Sequence, residues 1–183
     1  MTRHSPKINL NVLQTLLFLL LLSPLLFAKG AVQKLGDVLA ISIPISAYAT
    51  TLYLGDKEGQ YQFYRSYGAA MVTTMALKYT VREKRPDSPA RDSFPSGHTS
   101  SAFSGAAFIH RRYGFKYALL PYLGALFTGY SRVHAHRHHT RDVIAGALIG
   151  MAAGWFLVDP RRSLSVTPVY DSRRRGIQVK YHW

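Results

Sequence analysis

The chain has 183 residues, of which 48% are hydrophobic, and its formal charge of +14 comes from 23 lysines and arginines against nine acidic residues. The length fits one domain, and the absence of cysteine excludes disulfides, zinc–thiolate sites and cysteine nucleophiles. The positive charge favours anionic partners, which include nucleic acid, acidic lipid surfaces and phosphorylated substrates.

The first uncharged block runs from Ile8 to Ala28 and has 21 residues, enough for a helix to span a bilayer. Arg3 and Lys7 precede it, and residues 28–30 form a tolerable cleavage site, so the block also fits a secretory signal peptide. Residues 1–30 are therefore predicted to be either a membrane anchor or a signal peptide. Both interpretations direct the chain to or across a membrane.

Shorter uncharged blocks recur through residues 31–160, which we predict to form one membrane domain. They cover residues 38–55, 66–77, 99–109, 117–131 and 143–158. Charged residues lie between the blocks rather than within them, as expected for helices that cross a bilayer. The pattern predicts an all-α, compact multi-pass transmembrane bundle with five or six spans, and makes lipid a better partner than nucleic acid.

The basic tail, residues 161–183, differs in character from the domain before it. Two alternating runs flank the sequence "DSRRRG", which predicts a β-hairpin or an extended surface tail. With the N-terminus in the cytoplasm, this tail lies inside, in agreement with the positive-inside rule. The segments 82–95 and 132–142 then lie outside, and they are also basic, which that rule does not favour.

Three polar motifs stand at the ends of the hydrophobic blocks, and this topology brings all three to the outer face. They are "KYTVREKRP", "PSGH" and "SRVHAHRHHTRD". Their candidate functional residues are Lys78 and Arg85 in the first, Ser96, Gly97 and His98 in the second, and Arg132, His138 and Asp142 in the third.

The histidine cluster of the third motif raises a choice between a metal site, a basic loop and a catalytic nucleophile. If a helix begins near the end of the cluster, His138 and Asp142 are four residues apart and share a face. A carboxylate beside an imidazole fixes its tautomer and raises its basicity. The arginines between the histidines disfavour a bound dication, so no metal is expected. The other histidines, His134, His136 and His139, are expected to be exposed or peripheral.

The second motif predicts a phosphate-binding helix terminus. The first backbone amides of a helix have no partner within the helix and lie at the positive end of its dipole. Ser96 adds a hydroxyl donor, and Gly97 lets a ligand approach the backbone. His98 then stands where it could protonate a leaving oxygen.

Together, Lys78-x6-Arg85-Pro86, Pro95-Ser96-Gly97-His98 and Ser131-Arg132-x5-His138-x3-Asp142 resemble the three-part signature of the type 2 phosphatidic acid phosphatase (PAP2) superfamily. The match covers about a third of the chain, from Lys78 to Asp142, with the spacing within each motif intact. Three parts in the right order make the resemblance specific, whereas one part alone would be weak.

The resemblance implies a metal-independent lipid phosphatase that needs no cofactor. It implies that His138 attacks phosphorus to form a phosphohistidine, that Asp142 orients His138, and that His98 protonates the leaving group. The remaining five residues, Lys78, Arg85, Ser96, Gly97 and Arg132, would hold the phosphate oxygens. The implied substrate is phosphatidate, phosphatidylglycerophosphate, a polyprenyl diphosphate or a lipid A-type glycolipid.

The signal-like N-terminus and the compact size predict a bacterial inner membrane, with the active site facing the periplasm. Three alternatives stay open at this point. The phosphohistidine could be discharged by an alcohol, which would make the protein a lipid phosphotransferase. A vanadate-dependent peroxidase belongs to the same superfamily, although the small size and hydrophobic blocks argue against it. A membrane protein that binds anionic lipid without catalysis would tolerate alanine at His138.

Overall fold

Five helices form the body of the protein. The computed structural model describes residues 30–161, and beyond them the backbone of residues 163–171 and 174–182. The helices are α1 (Ala31–Tyr53), α2 (Lys57–Val81), α3 (Gly97–Tyr113), α4 (Phe115–His134) and α5 (Thr140–Leu157). The predicted helices are confirmed for every block after the first, whereas the block from Ile8 to Ala28 lies outside the described residues.

Each helix begins before the uncharged block that predicted it, so its first turn includes residues outside that block. Helix α2, for example, begins in a charged sequence after Asp56, whose carboxylate accepts a 3.0 Å hydrogen bond from the amide of Gly59. A carboxylate at this position satisfies an otherwise unpaired amide and is favoured by the helix dipole.

Helix α3 is the central element and contacts each of the other four helices. Its face towards α5 is unusually close, because Gly146, Gly150 and Gly154 recur every fourth residue along α5. A Cβ atom at Gly150 would lie 2.6 Å from the carbonyl oxygen of Ser100 on α3. Small residues at this spacing allow helix backbones to approach closely, which is a common packing mode inside membranes.

The interior also contains many hydroxyl groups, which bond between helices. Thr74 on α2 donates to Ser100 on α3 at 2.8 Å, and Ser101 donates to the carbonyl of Ala40 on α1 at 2.7 Å. Large apolar side chains instead cover the outside, including Ile41, Val72, Leu126, Leu148 and Phe156. This distribution, polar contacts inside and apolar groups outside, suits a helical bundle in lipid.

Two of the described helices, α1 and α5, are long and apolar enough to cross a membrane, with mean hydropathy of 1.4 and 1.2. The other three described helices are shorter or less apolar, so the count of five or six spans stays a prediction. After the last helix, β1 (Ser163–Asp171) pairs antiparallel with β2 (Arg174–His182). The hairpin predicted for the tail is confirmed, and the extended alternative is not.

Candidate active site

The three polar motifs meet at one end of the bundle, as predicted from the alternating direction of the helices. Helix α2 ends there, α3 begins there, and the segment between α4 and α5 crosses the same end. A cavity of about 340 Å³ opens between these elements. Five of the predicted site residues line it, namely Lys78, Arg85, Gly97, His98 and His138.

His138 is buried in the segment between α4 and α5, with 4% of its surface exposed. Its Nδ1 lies 2.9 Å from the backbone carbonyl of Ser93. Because a carbonyl only accepts, Nδ1 carries the proton and Nε2 keeps its lone pair. Burial, reinforced by the cations Lys78 and Arg85, lowers the pKa of His138 to about 4 despite the opposing charge of Asp142. The imidazole is therefore neutral at physiological pH, as a nucleophile must be.

His138 and Asp142 come together as predicted, although they share no direct hydrogen bond. Helix α5 begins only at Thr140, so His138 precedes the helix, and its Nδ1 lies 3.7 Å from the nearer carboxylate oxygen. That oxygen, Oδ2, accepts 2.5 Å and 2.9 Å hydrogen bonds from the Ser93 hydroxyl and the His139 amide. The carboxylate closes a capping box on α5. Ser93 therefore links the acid to the imidazole, since it contacts both.

Lys78 and Arg85 converge on one residue of the connection between α2 and α3. The Lys78 ammonium donates to the backbone carbonyl of Asp92 at 2.5 Å. The Arg85 guanidinium binds both carboxylate oxygens of Asp92, at 2.7 Å and 3.0 Å. This hydrogen bonding lowers the pKa of the Asp92 carboxyl. The bidentate geometry is the one that Arg85 would use for two phosphate oxygens.

His98 and Arg132 are joined by an acid on α1. Oδ1 of Asp37 lies 3.0 Å from Nε2 of His98 and 2.6 Å from the Arg132 guanidinium. Arg132 also donates to the carbonyl of Gln33 and to the hydroxyl of Ser131, and it is 2% exposed. Arg132 was expected to reach the phosphate directly. It does not line the cavity, because its donors are engaged by α1 and by its own helix.

Ser96 differs from the prediction in a similar way, whereas Gly97 agrees with it. The Ser96 hydroxyl is fully buried and bonds the hydroxyl of Thr99 at 3.0 Å, so it does not line the cavity. Gly97 begins α3 at the cavity wall, where an added Cβ would be 3.8 Å from the Lys78 side chain. The amino end of α3 therefore adjoins the cationic groups, a favourable combination for an anion.

The other histidines of the cluster have the exposure that was expected. His134 and His136 are exposed, and His139 is intermediate. Among the described residues, one trio offers metal-ligand atoms within 4.8 Å of one another, formed by Glu83, His139 and Asp142. Arg141 already pairs with Glu83, and Asp142 is bonded to Ser93, so these acids serve the protein's own groups.

Two site residues were missed from the sequence, Asp37 and Ser93. Asp37 is the only acidic residue of α1, and an isolated acid in an apolar helix is a signal that sequence reasoning can use. Ser93 carries no comparable signal, because a serine in a polar connection is common. Ser93 is recognised only through its partners in the folded protein.

Comparison with known proteins places this arrangement in context. The model of the PAP2 superfamily matches residues 62–162. Lipid A 4'-phosphatase of Helicobacter pylori is 30% identical over 169 residues, which cover 82% of this chain and 85% of the relative. Lipid A 1-phosphatase of Porphyromonas gingivalis is 43% identical over 82 residues, 43% of this chain but only 18% of that protein. The crystal structure of Aquifex aeolicus LpxE has the same fold, with a TM-score of 0.58, 22% identity, and coverage of 85% of this chain and 97% of that one.

Proposed function

This chain belongs to the PAP2 superfamily, and we propose that it is a membrane enzyme that hydrolyses the phosphate of a lipid through a phosphohistidine. The observation that carries the proposal is the convergence of a neutral, buried imidazole with cationic groups around one cavity. His138 supplies the imidazole, and Lys78, Arg85 and the start of α3 supply the positive potential. Positioning and charge stabilisation account for most of the catalysis in phosphoryl transfer.

In the first step, Nε2 of His138 attacks phosphorus, and the bond from phosphorus to the lipid oxygen breaks. His98 donates a proton to that oxygen, which leaves as an alcohol, or as a phosphate if the substrate is a diphosphate. The Nδ1 proton of His138 stays on the ring and is donated in a hydrogen bond to the Ser93 carbonyl, so the carbonyl stabilises the charge that develops on the ring. In the second step, His98 takes a proton from water, which attacks the phosphohistidine and releases inorganic phosphate.

Phosphate enters a site whose two arginines, Arg85 and Arg132, are already paired with carboxylates. Arg85 exchanges Asp92 for two phosphate oxygens with little change in geometry, because both ligands accept bidentately. Asp37 contacts His98 and balances the charge of Arg132, so it acts as a positioning residue for the general acid His98.

A lipid substrate is supported by the apolar part of the cavity. Below the charged groups, Ala40 and Ile41 of α1 face Met71 and Met75 of α2 across the same cavity. A second cavity of about 390 Å³ continues between these helices and shares Ile41. An acyl chain would lie along this path with its phosphate at His138. The two relatives described above are named for lipid A, so a phosphorylated lipid A-type glycolipid is the first substrate to test.

We place the enzyme in a bacterial inner membrane with the active site facing the periplasm. The end opposite the site carries basic residues in the last turn of α3, at His110, Arg111 and Arg112. The positive-inside rule favours that end in the cytoplasm. A fusion reporter at the C-terminus tests this orientation, because the tail follows α5 at the same end.

The decisive test is phosphate release by the purified protein in detergent with EDTA, offered each of the four lipid classes in turn. The wild type should release phosphate from at least one class, and His138→Ala should retain less than a tenth of that activity while staying folded. Loss of activity in EDTA that is restored by adding a metal ion would contradict the mechanism. Release only when an acceptor alcohol is supplied would reassign the protein as a phosphotransferase.

A further inference from the structure

A third cavity lies at the end of the bundle opposite the active site. It has a volume of about 290 Å³ and opens where α3 ends, α4 begins and the chain leaves α5. Its walls include His110, Arg111, Phe115, Trp155 and Arg161. The proposed phosphatase mechanism uses none of these residues, so the cavity needs an explanation of its own.

The charge in this cavity is not neutralised by the described part of the chain. Within residues 30–161, no carboxylate forms an ion pair with Arg111 or Arg161, whereas neighbouring Arg112 is paired with Asp56 at 2.6 Å. The Arg161 guanidinium donates to the backbone carbonyl of Leu54 at 3.4 Å. The Arg111 guanidinium lies over the Trp155 ring, 5.0 Å from its centroid. Its Nε atom is buried and donates to no group of residues 30–161.

Stabilisation of the helix end explains only part of this arrangement. Cations in the last turn of α3 interact favourably with the helix dipole, and Lys116 nearby shows that charge at this level can simply face outward. Neither effect needs a cavity or a buried donor without an acceptor. A buried donor without an acceptor is destabilising, so an acceptor brought by a ligand would stabilise the site.

We infer that this cavity binds a phosphate group, separately from the active site. Guanidinium groups match phosphate oxygens in geometry and keep their charge at any physiological pH. Phe115 and Trp155 provide apolar walls of the kind found at the level of lipid headgroups. The phosphate is carried either by the headgroup of an anionic lipid or by a soluble phosphate ion.

Trp155 provides a local reporter for the test, because the chain has only one other tryptophan. Trp183→Phe protein is placed in nanodiscs of phosphatidylcholine, and Trp155 emission is followed during titration with inorganic phosphate. A second series replaces part of the lipid with phosphatidylglycerol, a diester that the proposed phosphatase reaction does not consume. A saturable change is expected in at least one series.

Variants separate a binding site from general surface charge. Arg111→Gln and Arg161→Gln should each raise the ligand concentration that gives half of the emission change at least tenfold. Arg161→Gln leaves the Arg111 guanidinium over the Trp155 ring in place. Lys116→Gln, which removes a cation of the same end that does not line the cavity, should change this concentration less than twofold. Circular dichroism checks that each variant is folded.

The two series identify the source of the phosphate. A response to phosphatidylglycerol alone assigns the cavity to lipid headgroups, and a response to inorganic phosphate shows that the ion alone is sufficient. The inference is overturned if neither ligand gives a saturable response. It is also overturned if Lys116→Gln weakens binding as much as the two cavity variants do.

Discussion

The neutrality of His138 leads to a prediction about stability as well as catalysis. The ordinary pKa of histidine is about 6.5, whereas burial with Lys78 and Arg85 nearby lowers the pKa of His138 to about 4. At pH 6, an ordinary histidine would be about three-quarters protonated, but His138 would be only about 1% protonated. The proposed nucleophile is thus neutral down to about pH 5, and its ionisation should not limit activity above that pH.

The same difference links stability to pH. The unfolded chain takes up a proton at this position near pH 6.5, and the folded chain does so only near pH 4. The folded state therefore loses stability as pH falls through this range, by about 3 kcal/mol in all, and the contribution is constant above pH 7. The free energy of unfolding in mild detergent should fall more steeply for the wild type than for His138→Gln.

The comparison isolates one group, because the other seven histidines are present in both proteins. Nuclear magnetic resonance of labelled histidine supplies the direct measurement, with the His138 signal assigned by its loss in His138→Gln. A midpoint near 4 is expected. A midpoint near 6.5, or parallel stability curves for the two proteins, would refute the argument that this imidazole is held neutral by its surroundings.

Three further predictions test the supporting groups. Asp37→Asn should lower kcat about tenfold, the equivalent of about 1.4 kcal/mol, with partial recovery in Asp37→Glu; unchanged phosphate release by the folded variant would exclude a positioning role. Asp92→Asn should strengthen product inhibition by phosphate about twofold to fivefold, since a half-exposed competitor is removed; weaker inhibition would contradict the competition. Gly150→Ala should lower the unfolding temperature in detergent by several degrees, because its Cβ would meet the backbone of α3, whereas Gly68→Ala, which meets nothing within 4 Å, should not; equal effects would refute the close-packing argument.

The sequence predicted the helices and the end of the bundle at which the motifs meet, because both follow from local patterns. Uncharged blocks mark the helices, and helices of alternating direction bring the end of α2, the start of α3 and the start of α5 together. His138, His98 and Lys78 line one cavity for that reason. The spacing of glycines in α5 is also a local pattern, and its consequence for close packing was available from the sequence.

The contacts of the site could not be predicted in the same way, because they depend on residues far apart in the chain. Arg132 bonds Asp37, 95 residues earlier, and its guanidinium is thereby kept out of the cavity. The helical spacing brings Asp142 to within 3.7 Å of His138, but α5 begins two residues after His138 and the two side chains share no hydrogen bond. Ser93 bonds to both of them, through its hydroxyl and its carbonyl, which no motif indicated.

The pairing of cations also accounts for the basic segments at the site end, which the positive-inside rule does not favour. Arg85 pairs with Asp92, and Arg137 pairs with Asp87, so much of this charge is compensated locally.

A bilayer presents mainly phosphodiester headgroups, each with one negative charge. Such a group offers Arg85 no more charge than Asp92 already does. A phosphate monoester carries between one and a half and two charges near neutral pH, so it gains more from Lys78 and Arg85 than it loses by displacing the carboxylate. We therefore expect the proposed site to favour the monoester over the surrounding lipid, because only the more highly charged group gains by displacing Asp92 from Arg85.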